Sequence, residues 1–215
     1  MHFKMLFIIS TIIVIVVSII LLSLYKEEII YKYKRYKKGK VGENLISDKL
    51  ALLDDNYKVY NNLLFCLKND ITVQMDHIVV SRTGVYVIET KNYRGRIQEV
   101  DDCNWMQVIN GRDYLFYNPI KQNESHIKSL MYILFTKKRD IFKSIVAFPD
   151  NTRLDLKNTK NIIKFRNICN AIEKSQLHLL TDEEVNKICQ KIEEKNIYNK
   201  KNLKKHRDRI KRIYG

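Results

Sequence analysis

A chain of 215 residues, 45% apolar with six glycines and two prolines, holds one ordinary domain with appendages and is too apolar for wholesale disorder. Its net charge of +15 is unevenly placed: residues 26–40 carry seven Lys/Arg against two glutamates, residues 200–212 carry eight against one aspartate, and 41–199 carry 23 against 21. Both flanks suit anionic lipid head groups or nucleic-acid phosphates, or are solvated tails, while the nearly neutral middle excludes a uniformly basic binding domain.

Met5 to Tyr25 runs 21 residues without a charge. As a helix it reaches about 31 Å, the hydrocarbon thickness of a bilayer, and predicts a transmembrane helix over 5–25. A secretory signal peptide competes, but no small-residue cleavage site follows the run. Only Lys4 precedes it, whereas Lys26, Lys32, Lys34, Arg35, Lys37, Lys38 and Lys40 follow. The expected location is therefore the cell membrane, single-pass, with the N-terminus outside and the domain in the cytoplasm. Residues 26–38 read as a basic juxtamembrane linker, with Tyr25, Tyr31, Tyr33 and Tyr36 at the interface.

Residues 41–53 read as an amphipathic helix with Ile46, Leu50 and Leu53 on one face. Glu43 lies beside that face, where the plain reading is a first-turn glutamate favoured by the helix dipole. Residues 73–81 and 84–91 are rich in Val and Ile and predict two strands, apolar on both faces and so covered on both sides. Ser81-Arg82-Thr83-Gly84 joins them as a hairpin. Residues 96–117 predict a second hairpin region turning at Asn110-Gly111. Asn118-Pro119 opens a helix to about Phe135, with Asn as N-cap. Strands follow at 144–149 and 161–165, and Thr181 to Glu184 forms a capping box for a last helix through Lys195. The order predicts one mixed α/β domain. Cys66, Cys103, Cys169 and Cys189 have no CxxC spacing, which argues against a zinc or redox motif and points to reduced thiols.

The first hairpin concentrates the chemistry. Glu89 and Lys91 share a strand face, and Asp76 lies on the partner strand. An even-numbered loop sets Asp76 opposite Glu89, with Cβ atoms about 5 Å apart, a repulsive pair unless a cation or shared proton relieves it. An odd loop bulged at Gly84 instead sets Thr90 opposite Asp76. Two carboxylates are what magnesium takes from a protein while keeping waters and substrate phosphate oxygens. A lysine beside them can orient a nucleophilic water or stabilise developing charge. The plain alternative is polar strand ends in solvent. His77 points to the other face and reads as packed; His126 reads as a cap-side polar residue and Trp105 as core.

Beyond that local pattern, the stretch GKVGENLISDKLALL, then QMDHIVVSRTGVYVIETKNYRGRI, NWMQV and NPIKQNESHIKSL resembles the NERD (nuclease-related) domain over about 39–135. That family is similar to the PD-(D/E)XK nuclease-like superfamily. The resemblance implies a restriction-endonuclease-like mixed sheet flanked by helices, completed by an α/β segment at 136–199 and followed by a basic tail at 200–215. It implies Asp76 and Glu89 as metal ligands with the Thr90 carbonyl, Lys91 as the catalytic lysine, Glu43 as an additional first-helix acid, and Gln122 near the site or phosphate. Gly42 and Gly95 match as backbone positions. The function so implied is Mg²⁺- or Mn²⁺-dependent cleavage of DNA or RNA at the cytoplasmic membrane face. The alternative is a non-catalytic, membrane-tethered module that binds nucleic acid or lipid.

Overall fold

The computed structural model describes the backbone of residues 2–214, and their side chains except at 2–12, 24, 28, 29, 31, 32, 35, 213 and 214. The chain forms two compact units, 1–41 and 42–215. Helix α1 (His2–Leu50) supplies the first unit and opens the second.

Among the described residues no helix is long and apolar enough to cross a membrane. This corrects the expected transmembrane helix at 5–25 and the single-pass membrane location built on it. Within the expected span the described side chains are those of 13–23 and 25, and the absence of a crossing helix holds for these. The helix continues without a break through the charged stretch 26–40. The side chains of 5–12 and 24, also part of the expected span, lie outside the described residues. Membrane anchoring is likewise not supported.

The second unit is mixed α/β, but its strands divide between two sheets where one was expected. Strands β1 (Lys58–Cys66), β2 (Thr72–Ser81), β3 (Gly84–Thr90), β7 (Phe142–Phe148) and β9 (Ile162–Lys164) form a sheet in the order β1-β2-β3-β7-β9. Strands β4 (Arg96–Glu99), β5 (Asn104–Ile109), β6 (Arg112–Tyr117) and β8 (Arg153–Asp155) form a second, ordered β6-β5-β4-β8. The parallel pairs β3–β7, β7–β9 and β4–β8 make both sheets mixed. Helices α2 (Pro119–Ile133), α3 (Ile168–Glu173), α4 (Asp182–Lys195) and α5 (Lys200–Tyr214) complete the unit.

The first sheet is covered on both faces, which is why its central strands are apolar throughout. On one face Val85 and Val87 of β3 pack with Ile127 and Leu130 of α2 and with Val185 and Ile192 of α4. On the other, Tyr86 and Ile88 pack with Ile46 and Leu50 of α1 and Ile168 and Ile172 of α3. Ile46 and Leu50 are fully buried, so together they stabilise this docking by about 4 kcal/mol. A third cluster joins Trp105 and Phe116 of the second sheet to Val146 and Phe148 of β7.

The local signals mostly act as expected. Asn118 caps α2 by accepting from the backbone N–H groups of Ile120 and Lys121, and Thr181 and Glu184 form the reciprocal box at α4. Asn110 and Gly111 both take positive φ, 52° and 69°, as the tight turn between β5 and β6 requires. Strand β1 was not anticipated: its Asn61-Asn62 pair interrupts the apolar pattern, and Asn62 has φ 54°. Glu43 does not sit in a first turn, because α1 begins far upstream and places it near the C-terminal end.

Candidate active site

The loop between β2 and β3 is even-numbered. Ser81 pairs with Gly84, Val80 with Val85 and His77 with Ile88, so of the two registers open to the sequence the one that points Asp76 toward Glu89 is formed. The ladder ends there, and the Asp76 Oδ2 accepts the backbone N–H of Thr90 at 2.8 Å.

Asp76 also marks a break on its other side. The β1–β2 ladder skips the Asn62–Asp76 position between Asn61–His77 and Leu63–Met75. Across this break the inward alternation slips by one: Val73 and Met75 share a core cluster with Ile78 and Val80. The left-handed Asn62 opposite absorbs the kink. Asp76 thus lies where regular pairing lapses, half-buried, with its carboxylate aimed at the end of β3 rather than held in a ladder.

Glu89 is 4% exposed and is held by three donors. The Lys91 Nζ donates to its Oε1 at 2.7 Å, and the Gln122 Nε2 donates to the same oxygen at 2.9 Å. The His126 Nε2 stands 3.2 Å from Oε2. Lys91 also donates to the Gln122 Oε1 at 2.9 Å, so Gln122 bridges acid and lysine. Gln122 and His126 are one helical turn apart on α2, which presents both to the site. His126 read from sequence as a cap-side residue; its four-residue spacing from Gln122 was the available signal. Its Nδ1 is buried without a partner among the described residues.

Asn123, next to Gln122 and fully buried, was not singled out by sequence. Its Nδ2 donates to the carbonyls of Val87 and Ile145 at 2.8 and 3.1 Å and to the Ser144 hydroxyl at 2.9 Å. It therefore pins α2 to β3 and β7 just below the site. From the opposite side, Gly42 lets α1 approach so closely that a Cβ there would stand 2.5 Å from that of Asn92, next to Lys91. This brings Glu43 near enough to Asp76 for its charge to be felt. His77 is buried and its Nδ1 lies 2.6 Å from Asn61, in agreement with a packed histidine. Trp105, 1% exposed, is core.

The electrostatics separate the two acids. Burial, then the charges of Glu89 and Glu43, push Asp76 well above the usual carboxylate range, against smaller opposing effects of the Thr90 N–H and Lys91. Burial acts in the same direction on Glu89, but the Lys91 ammonium and the His126 contact outweigh it and hold its carboxyl down to about 2. Lys91 is raised: burial alone would lower it, and Glu89 prevails. The two acids are thus driven apart, Asp76 toward its protonated form and Glu89 toward its ionised one, as crowded carboxylates are without a cation.

The oxygen-only donors and their mutual repulsion fit a hard divalent cation. No group of three His, Cys, Asp or Glu among the described residues is arranged to hold a metal. Magnesium usually takes only one or two carboxylates from a protein, and Asp76 and Glu89 are two.

Asp76 in the middle of β2 thus faces Glu89 and Lys91 at the end of β3, where Gln122 of α2 bridges acid and lysine. The chain belongs to the nuclease-related domain (NERD) family, whose model matches residues 38–149, consistent with the PD-(D/E)XK-like superfamily. An uncharacterized protein of Bacillus anthracis is 35% identical over 175 residues, covering 79% of this chain and 82% of that protein. Among solved structures, that of Pyrococcus furiosus SfsA in complex with Ca²⁺ is 15% identical and covers 75% of this chain. This chain spans about half of that one, 54%, at a TM-score of 0.26.

Proposed function

We propose that this domain is a divalent-metal-dependent nuclease that cleaves phosphodiester bonds in DNA or RNA. The observation that carries the reading is the convergence of Asp76, Glu89, Lys91 and Gln122 in one hydrogen-bonded set, with the two acids in mutual repulsion. Asp76, Glu89 and the Thr90 carbonyl would hold Mg²⁺ or Mn²⁺. Such a cation, when bound, acidifies a water and neutralises charge on the phosphate.

The remaining roles belong to the chain's own groups. Lys91, fixed between Glu89 and Gln122, supports positive charge toward a nucleophilic water or a phosphate oxygen. Gln122 orients Lys91 through its carbonyl oxygen and Glu89 through its amide. Glu43 adds negative charge beside Asp76 and strengthens the demand for a cation. His126 fixes the second Glu89 oxygen.

The test incubates the full chain with Mg²⁺ or Mn²⁺ and a mixed panel of DNA and RNA, with calorimetry of metal binding alongside. Cleavage by the wild type and its loss in Glu89→Gln is the expected result. Bound metal with no cleavage of any nucleic-acid form would refute it. One observation favours a second reading, a non-catalytic nucleic-acid-binding module: both Glu89 oxygens already have partners in Lys91, Gln122 and His126. That reading predicts nucleic-acid binding that survives Glu89→Gln and needs no metal.

A further inference from the structure

The basic segment 200–212 reads from sequence as a tail, yet it is a docked helix. Its approach is tied to the edge strand β1: the Ile197 N–H donates to the Leu64 carbonyl at 2.8 Å, and the Leu64 N–H donates to the Asn196 side chain at 3.1 Å. Asn199 accepts from the Asn202 N–H at 2.8 Å, at the start of α5. Leu203 is buried, the His206 Nδ1 lies 2.8 Å from the Thr72 hydroxyl, and Arg209 donates to the Asp70 carbonyl. One side of α5 is thus fixed to the start of β2 and the turn before it, and the segment that leads into the helix is fixed to β1.

The other side is cationic. Lys200, Lys201, Lys204, Lys205, Lys211 and Arg212 are exposed, with Asp208 the one acid of the segment and Asp70 beside it. Among the described residues no carboxylate pairs with Lys201, Lys204 or Lys205. A helix held by its apolar and hydrogen-bonding side presents the ammonium groups of the other as a positive surface complementary to a polyanion.

The helix also stands near the candidate active site. Thr72, its anchor, is on the same strand as Asp76, four residues or about 13 Å away. The 68–70 turn that contacts α5 through Asp70 also reaches α2, where the Lys68 Nζ lies 6.0 Å over the Tyr132 ring. His206 and His126 are close enough to interact electrostatically. The row from Lys201 to Arg212 extends about 16 Å, the length of about five nucleotides of a duplex strand.

We propose that α5 is a phosphate-backbone track, which binds the nucleic-acid chain beside the active site through Lys201, Lys204 and Lys205. The proposal rests on the nuclease-related reading above, and it names how that site would gain hold of a polyanionic substrate. Contacts to phosphates carry no sequence information, so the track favours binding without base preference.

The test measures anisotropy of a labelled DNA duplex of about 20 base pairs against the full chain in EDTA, so that it stands or falls independently of cleavage. The triple variant Lys201→Gln, Lys204→Gln, Lys205→Gln is compared with wild type across a salt series. Three lost phosphate contacts reduce the slope of log K against log salt by about 2–3 and weaken binding about tenfold or more at low salt. The triple Lys→Arg variant, which keeps the charge, retains both affinity and slope. Unchanged affinity and slope in the Gln variant would overturn the proposal. So would polyglutamate competing as well as unlabelled duplex at equal charge, which would assign the surface to an acidic protein.

Discussion

Replacing Asp76 by Asn should make the protein more stable while removing the function proposed for it. The asparagine carbonyl keeps the 2.8 Å hydrogen bond from the Thr90 N–H, and its new amide donors face Glu89 and Glu43. What disappears is a carboxyl whose ionisation burial and two neighbouring acids oppose. At pH 7 that cost is capped at about 4 kcal/mol by the interval from its ordinary 3.8 to neutrality, at 1.36 kcal/mol per pH unit. A gain below that ceiling is therefore expected, at roughly 2–4 °C in Tm per kcal/mol for a unit of this size. The sign follows from the raised pKa: stability is fully present below pH 3.8 and is lost as pH rises toward the folded value. The advantage of the variant must thus be small near pH 3 and grow toward pH 7. Thermal unfolding followed by circular dichroism in EDTA, from pH 3 to 8, measures it. Added Mg²⁺ should stabilise the wild type more than the variant. An Asn variant no more stable than wild type at pH 7, or a difference independent of pH, would refute the reasoning.

Two further outcomes follow from the same geometry. Lys91→Met leaves the 5%-exposed Glu89 side chain without its principal partner. Glu89 is lowered from 4.5 to about 2, so it contributes about 3 kcal/mol above its ordinary value, lost progressively as pH falls from 4.5 through about 2. The variant should therefore lose about 3 kcal/mol in urea unfolding at pH 7, with a smaller deficit near pH 2; equal stability at pH 7 would count against the pairing. Asn123→Leu removes the donor to Val87, Ser144 and Ile145 and should cost about 2–4 kcal/mol. A loss below about 0.5 kcal/mol in the same assay, within the range of an ordinary surface change, would mean that Asn123 does not pin α2.

Local signals were legible because they depend on few residues. The Asn118-Pro119 start of α2, the Thr181–Glu184 box and the Asn110-Gly111 turn each act through neighbours in sequence. The apolar runs of β2 and β3 announced strands covered on both faces. The apolar N-terminal run was equally legible, but the span inferred from it was not upheld. Hydropathy reports residue content, whereas helix α1 joins that run to a charged stretch with no boundary.

Sequence by itself determined the candidate set, Glu43, Asp76, Glu89, Lys91 and Gln122, and the kinds of element carrying them. Tertiary structure decided which registers and faces bring them together. The even hairpin and the slip at Asn62 and Asp76 depend on how consecutive strands pair, and the staple at Asn123 on a side chain of α2 reaching the backbone of β3 and β7. The place of His126 on Glu89 and the docking of α5 on Thr72 were likewise hidden, because each joins residues separated by dozens of positions. Periodicity records which side of an element is apolar; it holds no information on which polar side chain from another element will face it.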